Sequence, residues 1–179
     1  MTAEEVKALV RNVPDFPIKG IQFKDITTVL DNPEGLRWMR DEIVKKYKNL
    51  GISKVVGIES RGFILAPAVA IELGVGFVPI RKPNKLPAET VSVTYAKEYG
   101  EDTIQMHKDA LSPEDVVLIH DDILATGGSM EAAINLVKKL GVKKIYVNCI
   151  IELEGLHGRE YLEGKAENVD CLFGIEVDE

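Results

Sequence analysis

The run Val116–Ser129, past the middle of the chain, constrains the fold more than any other segment. Its apolar, mostly β-branched start predicts a buried strand that ends in Asp121 and Asp122. A short turn, Ala125-Thr126-Gly127-Gly128-Ser129, then leads into a strongly helical pattern. A strand, a tight glycine turn and a helix in this order are typical of an α/β protein with a parallel sheet.

The turn in this run has the features of a phosphate cradle. Glycine lets the backbone approach an anion closely, and the first N–H groups of the following helix have no partners within the helix. Those donors, the positive end of the helix dipole and the hydroxyls of Thr126 and Ser129 favour a phosphate. Asp121 and Asp122 would repel a bare phosphate, but they would accept hydrogen bonds from the vicinal hydroxyls of a ribose. The segment therefore predicts a sugar-phosphate site.

Other interpretations of this run explain less of it. An ordinary strand-to-helix turn accounts for the two glycines, but two adjacent acids at the end of a buried strand are costly without partners. No Lys directly follows Gly128 as it would in a P-loop, and the GxGxxG spacing of a dinucleotide fold is missing.

Composition limits the class of protein. A chain of 179 residues, 45% of them hydrophobic, can bury one full core, so we expect a single domain over 1–179. The net charge of −7 argues against nucleic-acid and membrane-surface partners. Cys149 and Cys171 are too few for a disulfide framework. With neither an apolar signal core nor a membrane-length apolar run, the sequence predicts a soluble cytoplasmic protein.

Along the chain, the pattern predicts alternating strands and helices. We expect a helix near residues 2–11, a loop over 14–25, a helix from Asn32 to Gly51, strands over 54–58, 75–80 and 144–151, and helices after 62 and 127. Residues 90–106 predict a hairpin around a turn at 97–102, and the tail predicts a short helix and a further strand. Three unusual loops, at 59–62, 81–85 and 121–129, follow parallel strands and should meet at one edge of the sheet.

At this point the motifs resemble a known family. Val116–Ser129 resembles the phosphoribosyl-pyrophosphate signature of the type I phosphoribosyltransferases. The further blocks are similar to the adenine-specific group of that family, and they run in order from about residue 10 to Arg159: Pro14-Asp15-Phe16-Pro17 with Gly20 and Phe23-Lys24-Asp25-Ile26-Thr27; Ser60-Arg61-Gly62-Phe63; Val78-Pro79-Ile80-Arg81-Lys82-Pro83 with Lys85-Leu86-Pro87; and Glu98-Tyr99-Gly100.

The resemblance implies a fold and a reaction. The fold is a parallel twisted sheet flanked by helices, with a small base-binding hood from residues 1–30 and a flexible hairpin lid. The reaction condenses adenine with 5-phosphoribosyl-1-pyrophosphate to give AMP and pyrophosphate. The family usually forms homodimers, and the resemblance also suggests a cis peptide bond within the turn Glu59–Arg61.

The resemblance also assigns roles to residues of this sequence. Ala125, Thr126, Gly127, Gly128 and Ser129 would hold the 5′-phosphate, and Asp121 and Asp122 the ribose hydroxyls. Glu59, Ser60, Arg61, Lys82 and Lys85 would face the pyrophosphate, with Arg81 reaching towards a neighbouring subunit. Phe23 and Ile123 would sandwich the purine, with the backbone at Gln22 and the Lys24 side chain near its edge. Tyr99 would belong to the lid.

The chemistry fits these roles. Loss of pyrophosphate builds positive charge on the ribose and negative charge on the leaving group, so cations such as Arg61 should bind that group more tightly as the bond breaks. We expect a Mg²⁺ cofactor held mainly by the substrate's pyrophosphate, with no direct protein ligand. Adenine must lose a proton, and Glu98 under a closed lid is the candidate acceptor.

Two alternatives remain open. One is a transferase for another base, such as a 6-oxopurine, xanthine or orotate. A 6-oxopurine site needs a donor for O6, often a Lys near the last strand, and no Lys occurs around Ile151-Glu152-Leu153. The other alternative is a non-catalytic, ligand-sensing module of a transcription regulator. Such a regulator needs a DNA-binding segment, which the few residues before Pro14 cannot form.

Overall fold

The computed structural model describes residues 1–97 and 99–177. The helices are α1 (Ala3–Leu9), α2 (Thr27–Leu30), α3 (Pro33–Tyr47), α4 (Gly62–Leu73), α5 (Gly128–Lys138) and α6 (Gly158–Tyr161). The strands are β1 (Arg11–Pro14), β2 (Gln22–Asp25), β3 (Lys54–Ile58), β4 (Gly76–Ile80), β5 (Thr90–Ala96), β6 (Glu101–His107), β7 (Val116–Leu124), β8 (Lys144–Glu154) and β9 (Asn168–Glu176). Within the described ranges, no helix has the length and apolar character needed to cross a membrane.

Five strands form one parallel sheet in the order β4-β3-β7-β8-β9. The central strand β7 is apolar along most of its length because helices cover both faces of the sheet. Its neighbouring residues Leu118 and Ile119 point to opposite faces, and both are fully buried. The predicted parallel α/β sheet with flanking helices is therefore confirmed.

Each face of the sheet has its own apolar core. Ile119 packs with residues of α5 and of the β5–β6 hairpin, including Ile134 and Met106. Leu118, on the other face, packs with residues of α3 and α4, including Met39 and Leu65. The two cores fix β7 from both sides, and β7 leads directly into the predicted phosphate loop.

Helix α3 begins where the sequence predicts it. Oδ1 of Asn32 accepts hydrogen bonds from the backbone N–H groups of Glu34 (3.0 Å) and Gly35 (2.9 Å), which is a regular N-cap. Met39 and Ile43 are fully buried, as their helical spacing predicts. Leu36 is 36% exposed, however, because Gly35 occupies the buried position against α2.

Two antiparallel hairpins extend from this core. The hairpin of β5 and β6, paired from Thr90↔His107 to Ala96↔Glu101, confirms the sequence prediction of a hairpin; its role as a lid remains a prediction. The hairpin of β1 and β2 was not predicted, since the sequence analysis placed a loop over residues 14–25. Its strands have only four residues each, and β1 is mostly exposed, so they carry no alternating pattern of apolar residues.

Candidate active site

Three loops meet at the carboxyl ends of adjacent strands. Glu59–Arg61 follows β3, Arg81–Lys85 follows β4, and the turn Ala125–Ser129 follows β7. Because β4, β3 and β7 lie side by side in the sheet, these loops line one continuous edge. The peptide bond between Glu59 and Ser60 is cis, as the resemblance suggested.

The acid pair lies inside β7, two residues before the strand ends at Leu124. The prediction that the strand ends at these acids was therefore wrong by a few residues, because pairing with β8 continues through Ile123↔Ile151 and Leu124↔Glu152. Asp122 is only 2% exposed, and its Oδ2 atom lies 3.0 Å from Nε of Arg61. Oδ1 of Asp121 accepts a hydrogen bond of 2.9 Å from the backbone N–H of Asp122.

Burial controls the protonation of the pair. Removal from water raises the pKa of Asp121 well above its usual range, and the neighbouring carboxylate of Asp122 adds to that rise. Burial also raises the pKa of Asp122, while the Arg61 guanidinium opposes this shift. A ligand that brings hydroxyl donors or developing positive charge would therefore stabilise the charged form of both carboxylates.

The phosphate loop leads into α5 through Gly127, whose φ of 92° is left-handed. Gly127 is the N-cap residue of this helix and has no side chain to cap it, so the first N–H groups are left available beside the loop. The cavity beside the loop has a volume of about 230 Å³ and is lined by the acid pair, Ile123, the whole turn Ala125–Ser129 and Arg61. The predicted phosphate-loop residues are thus all brought together around one cavity.

A second cavity of about 180 Å³ adjoins the acid pair on the side of β3 and β4. It is lined by charged and polar residues, among them Ser60, Arg61, Lys82 and both acids. Glu59 connects the loop after β3 to the loop after β4, since its Oε2 atom accepts a 2.8 Å hydrogen bond from the backbone N–H of Lys82. That bond, with the nearby Arg81 guanidinium, keeps the pKa of Glu59 below its usual value.

Arg81 and Lys85 differ from Lys82 in position. The guanidinium of Arg81 forms an ion pair with Glu59 of the same chain, at 3.2 Å between Nε and Oε2. The Arg81 side chain is thus turned towards its own β3 loop. Lys85 is exposed, and its charge contributes to the lowered pKa of Glu59.

A third cavity, of about 470 Å³, is largely apolar and lies between the β1–β2 hairpin and α4. Phe23 lines it, and the Arg61 guanidinium lies over the Phe23 ring, with Cζ 5.2 Å from the ring centroid. Ile123 lines the phosphate-loop cavity instead. Among the described residues, Arg61 lines all three cavities and so connects them.

The side chains of Gln22 and Lys24 point away from Phe23, because side chains alternate along β2, so the prediction that the Lys24 side chain lies near the base is not met here, while the predicted contact at Gln22 involves its backbone. Nζ of Lys24 donates a 2.9 Å hydrogen bond to Oδ1 of Asn12, and Oε1 of Gln22 accepts a 2.7 Å bond from Nδ2 of Asn12. Tyr99, at the hairpin tip, is 81% exposed. Glu98, the predicted proton acceptor, lies outside the described residues.

Sequence analysis missed three residues of the second cavity, namely Tyr95, Lys97 and Asp102. They belong to the β5–β6 hairpin, which folds over the sheet edge from a distant part of the chain. Alternation along β5 could have indicated that Tyr95 and the following Lys97 face the same side. Nothing local predicts which surface that side meets.

His120, to which sequence analysis assigns no chemistry, lies on β7 just before the acid pair. It is buried beside Asn148, with 3.1 Å between Nδ1 of His120 and Oδ1 of Asn148. Burial lowers the pKa of His120 to about 4, so its ring is neutral at neutral pH.

Comparison with known proteins agrees with this geometry. Residues 25–177 match the family model of the phosphoribosyl transferase domain, which defines the class of protein. Adenine phosphoribosyltransferase of Bacteroides fragilis is 59% identical over 163 residues, covering 91% of this chain and 92% of that protein. The protein of the same name from Phocaeicola vulgatus is 60% identical over 160 residues, covering 89% and 92%.

Comparison with solved structures indicates the same family. The crystal structure of APRTase from Giardia lamblia complexed with 9-deazaadenine superposes with a TM-score of 0.93 at 47% identity, covering 98% of each chain. The chain therefore belongs to the adenine phosphoribosyltransferase family.

Proposed function

We propose that this chain condenses adenine with 5-phosphoribosyl-1-pyrophosphate to give AMP and pyrophosphate. The observation that carries the proposal is that Arg61 lines three adjoining cavities of different character. One cavity is apolar, one ends in a glycine loop at a helix N-terminus, and one is strongly charged, with Arg61, Lys82 and Lys97 beside four carboxylates. These properties suit a purine, a phosphorylated ribose and a diphosphate, respectively.

In this proposal the turn Ala125–Ser129 holds the 5′-phosphate. Its support is the uncapped start of α5 and the left-handed Gly127, which leave backbone N–H groups available beside the loop. Asp121 and Asp122 accept hydrogen bonds from the ribose hydroxyls. Because these donors stabilise the charged carboxylates, sugar binding also places negative charge beside the carbon that becomes positive during the reaction.

The diphosphate group occupies the second, strongly charged cavity. Ser60, Arg61 and Lys82 line it, while Arg81 and Lys85 lie on the adjoining loop. These groups bind the leaving group more strongly as its negative charge grows, which lowers the barrier for its departure. Mg²⁺ would be held mainly by the oxygens of the diphosphate, with the carboxylates of Asp121 and Asp122 nearby, and when bound the ion would neutralise part of the leaving-group charge.

The base occupies the apolar cavity beside Phe23. Arg61 now stacks on this ring, so a purine would take the place of the guanidinium and leave Arg61 for the diphosphate. Ile123, from the adjoining cavity, would contact the other face of the purine, with the backbone at Gln22 near its edge, whereas the Lys24 side chain points away towards Asn12. Glu98 would take the proton that adenine loses, and Tyr99 would close over the site with the hairpin as a lid.

Assembly and location are part of the same proposal. Helix α4 leaves Ile71 77% exposed, and this apolar side chain supports a homodimer. We also infer a cytoplasmic location, with small-molecule substrates and no nucleic-acid or membrane partner.

The test is a release assay for pyrophosphate with 5-phosphoribosyl-1-pyrophosphate and one base at a time. We expect turnover with adenine and little with hypoxanthine, guanine, xanthine or orotate. Turnover with a 6-oxopurine but not with adenine would overturn the choice of base. Binding of the sugar diphosphate without release of pyrophosphate for any base would favour a ligand-sensing module.

A further inference from the structure

One carboxylate in the second cavity binds two lysines from different parts of the chain. Nζ of Lys97, just after β5, lies 2.6 Å from Oδ2 of Asp102 on β6. Nζ of Lys82, from the loop after β4, contacts the same oxygen. Asp102 is mostly buried, with its side chain 16% exposed, whereas the two lysine side chains are 40–47% exposed.

The cluster is held in place by the hairpin. The Tyr95 hydroxyl lies 3.4 Å from Oδ2 of Asp102 and 3.3 Å from Oγ of Ser129 in the phosphate loop. This hydroxyl therefore connects the hairpin to the start of α5. All five residues, Ser129 included, line the cavity that also contains Arg61 and the acid pair.

The charges around Asp102 do not balance. Two ammonium groups share one carboxylate, so these three groups together carry one excess positive charge. Burial opposes ionisation of Asp102, but hydrogen bonds from Lys82 and Lys97 outweigh it and lower the pKa of Asp102 to about 2. The carboxylate is thus fully charged at neutral pH. Each ammonium has three N–H donors, so each retains donors for a second anion.

We propose that Lys97 is a further diphosphate-binding residue and that Asp102 is the counter-ion that holds Lys97 and Lys82 towards the cavity when no diphosphate is bound. This inference rests on the proposed function, because it places the diphosphate group in this cavity. An incoming diphosphate competes with Asp102 for both ammonium groups. Lys97 adds to the affinity for diphosphate, and the negative charge of Asp102 reduces it.

A purely structural ion pair within the hairpin predicts different behaviour. In that case Lys97 and Asp102 would stabilise the fold, and both substitutions would weaken or leave unchanged the binding of any ligand. If Asp102 competes with the diphosphate for the lysines, the two substitutions change the affinity for diphosphate in opposite directions. Tighter binding after loss of Asp102 cannot arise from damage to the fold.

The experiment is isothermal titration of magnesium pyrophosphate into the full chain and its variants. We expect Lys97→Met to raise the Kd for pyrophosphate about tenfold, as loss of one charge-assisted hydrogen bond would. We expect Asp102→Asn, which keeps the shape of the side chain, to lower the Kd several-fold. Adenine binding should change in neither variant.

The matched control is Glu89→Gln. It breaks the ion pair of 3.0 Å between Lys108 and Glu89, which lies on the same hairpin but outside the cavity. This variant should bind pyrophosphate as the unmodified chain does. Urea unfolding of each variant tests whether the fold is retained.

Two results would overturn the inference: an unchanged Kd for Lys97→Met, or an unchanged or higher Kd for Asp102→Asn. Failure of the proposed function is recognised separately. If the unmodified chain releases no pyrophosphate with any base, the proposed function fails. If it is active and Lys97→Met binds pyrophosphate normally, only the role of Lys97 fails.

Discussion

Substitution of Gly158 by Ala should move the phosphate loop without touching a charged group. Gly158 is the first residue of α6, which lies behind the turn Ala125–Ser129. A Cβ atom at Gly158 would overlap the carbonyl oxygen of Ala125 and lie 3.2 Å from the backbone nitrogen of Gly127. These neighbours are backbone atoms, so they cannot rotate away as a side chain can.

Helix α6 cannot easily retreat from the new methyl group. Nε of Arg159 donates a 2.9 Å hydrogen bond to Oε2 of Glu152, and Nη1 of Arg159 donates a 2.8 Å bond to the carbonyl oxygen of Val169. The turn must therefore shift by about 1 Å to restore an ordinary contact distance, since non-bonded atoms prefer roughly 3.5 Å. Overpacking of this kind costs about 1–3 kcal/mol of stability.

The functional effect should exceed the effect on stability. A misplacement of about 1 Å can reduce catalysis on the order of a hundredfold. We expect Gly158→Ala to raise the KM for 5-phosphoribosyl-1-pyrophosphate about ten- to a hundredfold, with adenine affinity little changed, because Phe23 lines a different cavity. Steady-state kinetics with each substrate varied in turn, together with urea unfolding, measure the two effects separately.

Gly164→Ala is the matched control. Gly164 has a φ of 74°, and no atom lies within 4 Å of the position that a Cβ would take, so alanine there introduces only backbone strain, of about 1 kcal/mol. It should destabilise the chain without changing the KM for the sugar diphosphate. A normal KM for Gly158→Ala, or an equal rise in both variants, would refute the idea that α6 positions the phosphate loop.

The remaining predictions concern single carboxyl groups. Asp122→Asn should sharply reduce kcat with the fold intact, because its charge faces Arg61 at 3.0 Å, and unchanged kinetics would remove the acid pair from the site. Glu98→Gln should lower kcat more than adenine affinity, whereas a normal kcat would assign Glu98 to the surface. Hydrogen bonds from Thr27 and then Arg11 lower the pKa of Asp25 from 3.8 to about 2, so Asp25→Asn should lose about 1 kcal/mol of stability at neutral pH, after allowance for solvent screening. Since the native pKa is depressed, urea unfolding should show this difference above pH 4 and its loss as the pH falls towards 2; a difference independent of pH would contradict the assignment.

Each element that sequence analysis predicted has a residue pattern that is complete within a short stretch of chain. Strand β3 is a continuous apolar run, and α3 has its own cap at Asn32 and regular helical spacing. Such signals depend on neighbours in sequence. The β1–β2 hairpin lacks them, because Arg11 and Asp25 form their ion pair only after the chain has turned back on itself.

The same distinction applies to the site. The glycine turn and the acid pair could be predicted from consecutive residues, since a strand that leads through glycines into a helix fixes where the N–H groups and carboxylates lie. The residue that pairs with each charged group could not be predicted from consecutive residues. Coulomb energy depends on the distance between atoms, and the distances that join Lys82 and Lys97 to Asp102 exist only when the hairpin is packed over the sheet edge. The sequence alone thus determined which chemical groups this protein carries at the end of β7, whereas tertiary packing decided which cations from other parts of the chain lie beside them.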